Sequence, residues 1–203
     1  FTDSYEDEKV PEDVEVVLYK DEDSYQQRVF SCLETLDEEI VVFCHEDMPL
    51  YSDADKVTLS DFSEMVENDE VQFIKLLRGG YENTKFVPFS DSRLVESPST
   101  MIFTVQPTIC KLSNLMKIYE ITQGDNMWEF EQNTAFTALR EGFTGAMAYQ
   151  VGDKKRGAHH WDSSVFPYVA TAIVKGQWNF SEYPELHTLL SEYRINPELR
   201  GVV

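Results

Sequence analysis

The residues best placed to do chemistry are His45-Glu46-Asp47, which follow directly on the apolar run Ile40-Val41-Val42-Phe43-Cys44. A run of that kind reads as a strand covered on both faces. In parallel α/β sheets, ligands bind at the carboxyl ends of the strands. Carboxylates placed there are hard oxygen ligands suited to Mg²⁺ or Mn²⁺. The competing reading is a solvated acidic turn after a core strand, and position alone does not choose between the two. Asp53-Ala54-Asp55 spells a literal Asp-x-Asp. It does not follow a buried strand, and helix N-termini attract such acids, so it ranks below the first turn.

Three further constellations could contribute. Trp128-Glu129-Phe130-Glu131 combines aromatic rings, which stack on sugar faces, with carboxylates able to deprotonate a hydroxyl. Its plain alternative is a first helical turn with Trp128 and Phe130 in the core. The stretch Asp153 to Asp162 holds the basic cluster of a very acidic chain. There Lys154, Lys155 and Arg156 could meet a diphosphate, and His159 or His160 could reach a metal. Adjacent histidines in an extended stretch point to opposite sides, so one of the two at most is used. The alternative is a solvated surface loop. Arg78-Gly79-Gly80 ends another apolar run, and its glycines would let backbone approach a ligand, although an ordinary turn explains them equally.

Bulk composition narrows the partners. The chain carries 17 Lys and Arg against 37 Asp and Glu, a net charge of −20. Such a surface repels nucleic acid and anionic membrane, and it would repel a sugar diphosphate unless a divalent cation or a local basic spot held it. No apolar run approaches the roughly 18 residues of a membrane span, and no signal peptide is evident. Cys32, Cys44 and Cys110 are odd in number and sit beside apolar neighbours, which predicts buried reduced thiols in a cytoplasmic protein. Without a Cys-x-x-Cys pair a cysteine zinc site is not expected. No P-loop, Gly-x-Gly-x-x-Gly, Gly-x-Ser-x-Gly or His-Glu-x-x-His is present.

The elements that must position these groups follow from periodicity. The length of 203 residues suits one domain. Short apolar runs alternate with helical patterns, which predicts an α/β protein with a mixed, mostly parallel sheet flanked by helices. Strands are expected at 14–19, 40–44, 71–77, 101–105, 146–151 and 168–174. Ser24 should cap a helix that buries Tyr25, Val29, Cys32, Leu33 and Leu36. Further helices are expected after Ser60, around 112–119, from Gly124-Asp125-Asn126 to near Gly142 or Gly145, and over 186–193. Residues 81–100 and 152–164 read as long polar loops.

Taken together, these pieces resemble small family 2-like glycosyltransferases of the GT-A fold. The resemblance rests on Ser24-Tyr25, Arg28, Ile40 to Cys44, His45-Glu46-Asp47 and Leu50-Tyr51. It extends to Leu76-Leu77-Arg78-Gly79, Gln106-Pro107-Thr108, Trp128-Glu129-Phe130-Glu131 and Val174-Lys175-Gly176-Gln177-Trp178-Asn179. It continues through Tyr183-Pro184-Glu185-Leu186 and Asn196-Pro197-Glu198-Leu199-Arg200-Gly201, and so covers most of the chain. It implies a nucleotide-sugar donor, often UDP-linked, a hydroxyl acceptor such as a glycan, and a divalent metal, Mn²⁺ or Mg²⁺, held by Asp47 and Glu46. It also implies a general base near the start of a later helix, with Glu129 the first match and Glu131 the second. His45, Arg78, Gly79, Gln106, Trp128, Lys154, Arg156 and His160 would surround the nucleotide sugar. The turn departs from the family's Asp-x-Asp, and the opening strand that holds uracil and ribose is not obvious before Val14. Either that unit lies upstream of Phe1, or Val14–Tyr19 with Asp21 and Asp23 serves in part. The alternative to an enzyme is a non-catalytic binding or assembly module on the same scaffold.

Overall fold

The computed structural model describes residues 1–4, 10–45, 47–80, 85–156 and 160–203. Three of its α-helices begin where a side chain satisfies a first-turn N–H group. Ser24 and Gln27 form a reciprocal capping box at the start of α1 (Tyr25–Leu33). Asp55 accepts from the backbone of Val57 and Thr58, both at 3.1 Å, and starts α2 (Lys56–Glu67). That helix therefore opens before Ser60, not after it. α3 spans Leu112–Ile121. Asn126 caps α4 (Met127–Arg140), which ends just before Gly142 in a left-handed conformation, φ 72°. α5 is Leu186–Glu192.

The central sheet has five strands, β1 (Ile40–Phe43), β2 (Phe73–Lys75), β3 (Leu94–Glu96), β4 (Thr108–Lys111) and β5 (Gly145–Ala148). Their spatial order is β1-β4-β2-β5-β3. The fold is mixed α/β, but the sheet is not mostly parallel. Among its described strands only β2 and β5 pair in parallel, while β4 runs against both β1 and β2, and β3 runs against β5. The strands β1, β2 and β5 nevertheless share one direction, so their carboxyl ends meet at one edge of the sheet. The segments that lead into β3 and β4 reach the same edge.

Alternation along the strands divides the core. Phe73 and Cys110 face α1, α3 and α4 in a cluster with Phe103, Tyr119 and Phe130. Ile74 and Ile109 face α2 with Phe62 and Val66. Tyr119 stacks on Phe130 at 4.3 Å between ring centroids, a pairing that adds about 1 kcal/mol to simple burial. Among the described residues β1 is an edge strand and Val42 is 40 % exposed, so this run is not covered on both faces.

Several expected elements take another form. Residues 14–19 form no strand; Leu18 makes a single bridge to Thr2. The 81–100 stretch contains β3, and the expected strand at 101–105 is replaced by irregular chain before β4. The 152–164 stretch folds into a ribbon of β6 (Lys155–Arg156) and β7 (His160–Trp161). Residues 168–174 are largely irregular and end in a hairpin of β8 (Ile173–Val174) and β9 (Gln177–Trp178). Its turn, Lys175-Gly176, has positive φ at both positions, 49° and 81°, the geometry that matches strand twist. Cys32 and Cys110 are buried as expected, but Cys44 is exposed. No described helix is long and apolar enough to cross a membrane.

Candidate functional site

At the carboxyl edge of the sheet lies a cleft of about 430 Å³, walled by three parts of the chain. The segment after β1 contributes His45, Asp47 and Met48; the approach to β4 contributes Val105 and Gln106; and the first turns of α4 contribute Met127, Trp128 and Glu131. His160 of β7 and Ala170, Thr171 and Ile173 close it. The chain after β1 is stitched to the 167–172 segment by backbone hydrogen bonds. Tyr51 donates to Pro167 at 3.0 Å, Val169 to Pro49 at 2.9 Å and Ala172 to Asp47 at 3.3 Å. Those bonds place the Asp47 backbone where an acidic turn alone would not be fixed.

Four polar side chains of the cleft, His45, Gln106, His160 and Glu131, are held by neighbours. His45 Nε2 and the Tyr25 hydroxyl share a 2.9 Å hydrogen bond, and that hydroxyl lies 3.2 Å from the hydroxyl of Tyr119. Burial raises the Tyr119 phenol well above its ordinary range, so it stays neutral. Gln106 Nε2 donates to His160 Nδ1 at 2.9 Å. Glu131 accepts from the backbone N–H of Val105 at 2.9 Å through one oxygen. Trp128 is 69 % exposed and offers a ring at the mouth, not a core side chain.

Half of the residues singled out from sequence thus converge on one cleft: His45, Asp47, Gln106, Trp128, Glu131 and His160. Glu46 lies outside the described residues. Glu129 does not line the cleft. It is the third residue of α4, and its carboxylate turns back to accept from the Asp125 N–H at 3.2 Å. Arg156 is not available to a diphosphate either. Its guanidinium is 8 % exposed and is bound by Asp162 at 2.8 Å, Glu185 at 2.7 Å and the Glu182 carbonyl at 3.0 Å. Lys154 is exposed and away from the cleft wall. Arg78 stacks over Trp161 at 3.6 Å, with Phe86 and Tyr149 nearby, and does not face the cleft. Gly79 is buried and does not line the cleft; a Cβ there would meet Met101 Cε at 2.6 Å.

Asp53-x-Asp55 is a helix start, with Asp55 held below the ordinary carboxylate range first by the Thr58 hydroxyl. A second cleft of about 430 Å³ lies beside it, at Arg93, Tyr149, Asp153 and Ser163. Its charged groups have structural partners. Arg93 bridges Asp61 at 2.8 Å and Asp91 at 2.6 Å, and Asp153 accepts from the Gln150 N–H at 3.0 Å.

Sequence reading passed over Tyr25 as a cleft support, and over Met127, Thr171 and Ile173 as walls. Tyr25 had a signal, as the one residue of the apolar face of α1 that carries a hydroxyl. Thr171 and Ile173 had none, since they arrive through the long return of the chain after β7.

Among the described residues no group of three or more His, Cys, Asp or Glu side chains gathers to hold a metal unaided. The donor set fits a different kind of site. Mg²⁺-like ions commonly take one or two protein carboxylates and complete their shell with phosphate oxygens and water. Asp47, a hard oxygen donor on a cleft wide enough for a ligand, suits that arrangement. A scan of the chain against protein-family models gives no match, and a search of curated proteins finds none significantly similar to it.

Proposed function

We propose that the chain is a metal-dependent glycosyltransferase, moving a sugar from a nucleotide-diphosphate sugar, UDP-linked, to a hydroxyl of a saccharide or other acceptor. One observation supports this above the rest: Asp47, from the end of β1, and Glu131, from α4, line the same cleft. Glycosyl transfer needs an oxygen ligand near the diphosphate and a carboxylate near the acceptor hydroxyl, on separate elements. In this reading Glu131 takes the proton of the acceptor hydroxyl, and its bond from the Val105 N–H fixes the carboxylate's direction. Trp128 offers a face for sugar stacking. The Gln106–His160 pair and His45, steadied by Tyr25, present polar atoms to the donor. Asp47 would hold Mn²⁺ or Mg²⁺, which when bound supplies neutralisation of the leaving diphosphate.

The test is calorimetric titration of the full-length protein with UDP and UDP-sugars, with and without Mn²⁺. Binding that strengthens at least tenfold with Mn²⁺ is the expected result. Equal, negligible binding in both conditions by a folded protein would sink the reading.

One observation favours a second reading, a binding module on the same scaffold. The acid that best matched a general base, Glu129, is engaged at the helix start and turned away from the cleft. A module of that kind would bind the nucleotide sugar, release it intact, and lose nothing but affinity when Glu131 is changed.

A further inference from the structure

The second cleft, of about 430 Å³, opens on the same edge of the sheet as the first. It sits where β5 runs out into Tyr149 and Gln150, where Ser92 and Arg93 lead into β3, and beside the start of α2. Its volume falls within the roughly 300–1,000 Å³ that small-molecule sites occupy. Hydrogen bonds fix its walls. The Tyr149 N–H donates to the Arg93 carbonyl at 2.8 Å, and the Asp55 N–H to the Val165 carbonyl at 2.9 Å. The Ser163 hydroxyl donates to the Leu76 carbonyl and accepts from the N–H groups of Val165 and Phe166 at 3.2 and 3.0 Å.

What this cleft can bind follows from which of its groups are already engaged. Asp55 caps α2, Arg93 bridges Asp61 and Asp91, and Asp153 accepts from the Gln150 N–H. An ionic ligand would therefore compete with bonds inside the fold, and an anion would also meet the repulsion of a chain of net charge −20. The neutral groups are open. Among the described residues the hydroxyls of Ser92 and Tyr149 have no hydrogen-bond partner, and Gln150 accepts from Ser164 through Oε1, which leaves Nε2 as a donor. The Tyr149 ring is steadied by Phe86, with 5.6 Å between centroids, and by the Arg78 guanidinium at 5.3 Å. A fixed aromatic ring with neutral donors and acceptors around it suits the hydroxyls and the apolar face of a sugar.

A short piece of chain joins the two clefts. His160 walls the first and Ser163 the second. Three residue steps span at most about 11 Å, which sets the distance that a chain-like ligand must cover.

We propose that the second cleft is a subsite for neutral saccharide, taking the residues of an oligosaccharide acceptor that lie beyond the one that reacts. The role as acceptor subsite rests on the glycosyltransferase reading; the saccharide site itself stands on the walls of the second cleft.

The test uses the full-length protein with Ser92→Trp, which fills the cleft, and Gln150→Ala, which removes a donor. Both side chains are exposed, and thermal unfolding checks that both variants keep the fold. An array of neutral and acidic oligosaccharides serves as the probe, followed by calorimetric titration with the best-retained neutral tetrasaccharide and its monosaccharide unit. The wild-type protein should bind the tetrasaccharide at least about tenfold more tightly than the monosaccharide. Ser92→Trp should abolish that gain, and Gln150→Ala should reduce it about threefold. Retention of no neutral oligosaccharide by the folded wild-type protein, a preference for acidic ones, or the same gain in Ser92→Trp would each overturn the proposal. If the wild-type protein binds no UDP-sugar and Ser92→Trp still abolishes the gain, the glycosyltransferase reading fails and the saccharide site stands. If it transfers sugar with a KM for the tetrasaccharide that Ser92→Trp does not raise, the subsite fails and the glycosyltransferase reading stands.

Discussion

The cleft between β1 and α4 holds the residues that rank first by sequence, and the β6–β7 ribbon beside it holds the basic cluster that ranks lower. Both hold charged residues of the right kinds, and the ribbon holds more of them. They differ in what those charges are bound to. In the ribbon, Arg156 meets Asp162, Glu185 and a backbone carbonyl, all between elements of the same protein. In the cleft, the Glu131 carboxylate is held, among the described residues, by one backbone N–H and borders a volume of about 430 Å³. A charged side chain whose hydrogen-bonding positions are filled by its own fold serves stability, whereas one held at one point and facing open volume can serve a ligand.

Two acids two residues apart give the sharpest way to break that comparison. Glu131→Gln keeps the oxygen that accepts from Val105 but loses the ability to take a proton. It should lower kcat with a UDP-sugar about 1,000-fold while the fold is kept. Glu129→Gln should leave kcat within about twofold, since Glu129 is engaged at the helix start. Steady-state kinetics of the two variants measures both. The reverse ranking would return Glu129 to the role that its position after Trp128 suggested.

Arg156 tests the other side. Arg156→Met removes the cation from between Asp162 and Glu185, which are then left without their partner at a poorly hydrated place. The loss should be about 4 kcal/mol in urea unfolding. Nucleotide affinity should not change in the variant below its unfolding transition. A selective loss of affinity would show instead that the ribbon opens toward the ligand.

Why the sequence revealed one region better than the other follows from the range of the forces involved. Local signals were sufficient for α1, since the Ser24–Gln27 capping box is written in four consecutive residues. They sufficed for the strand that carries the acidic turn and for the existence of α4. They did not reveal that β1 lies at an edge, or that β4 begins after Pro107 instead of at Met101, because strand pairing joins residues far apart. For the same reason a mostly parallel sheet was expected where antiparallel pairing prevails. The choice between Glu129 and Glu131 was partly legible. Asn126-x-x-Glu129 is a cap followed by an acid at the third helical position, a spacing that predicts engagement at the helix start. The engagement of Arg156 by Glu185 was not legible, since the two lie 29 positions apart.

Lys75 lies between the two cases, without a hydrogen-bond partner for its Nζ among the described residues and yet excluded from water. Its ordinary value is 10.5, and in the fold it is about 8. A depressed lysine is a cost: below pH 8 both folded and unfolded chains hold the proton, and the full penalty, about 3 kcal/mol, is present. Between about 8 and 10.5 the unfolded chain holds more protons than the folded one, so raising the pH relieves the penalty. The stability advantage of Lys75→Met should therefore be greatest at pH 7 and shrink steadily toward pH 10. Urea unfolding of wild type and variant across that range gives the slope. A constant difference would mean that Lys75 is already neutral or is hydrated.

The smallest expected effect bears on how the cleft is held. Tyr25→Phe removes the hydroxyl that links His45 to Tyr119 but keeps the ring that packs edge-on against Phe130. The stability loss should be about 1 kcal/mol, the net value of one hydrogen bond. Affinity for the nucleotide sugar should fall about threefold, because His45 loses one of its anchors, not its place on the cleft wall. Set beside Arg156→Met, the two variants should act in opposite proportion: a large loss of stability with affinity kept, against a small loss of stability with affinity reduced. The opposition would hold although Tyr25 carries no charge and Arg156 carries a full one, and it would place function with the side chains that line or support the cleft and not with the densest charge.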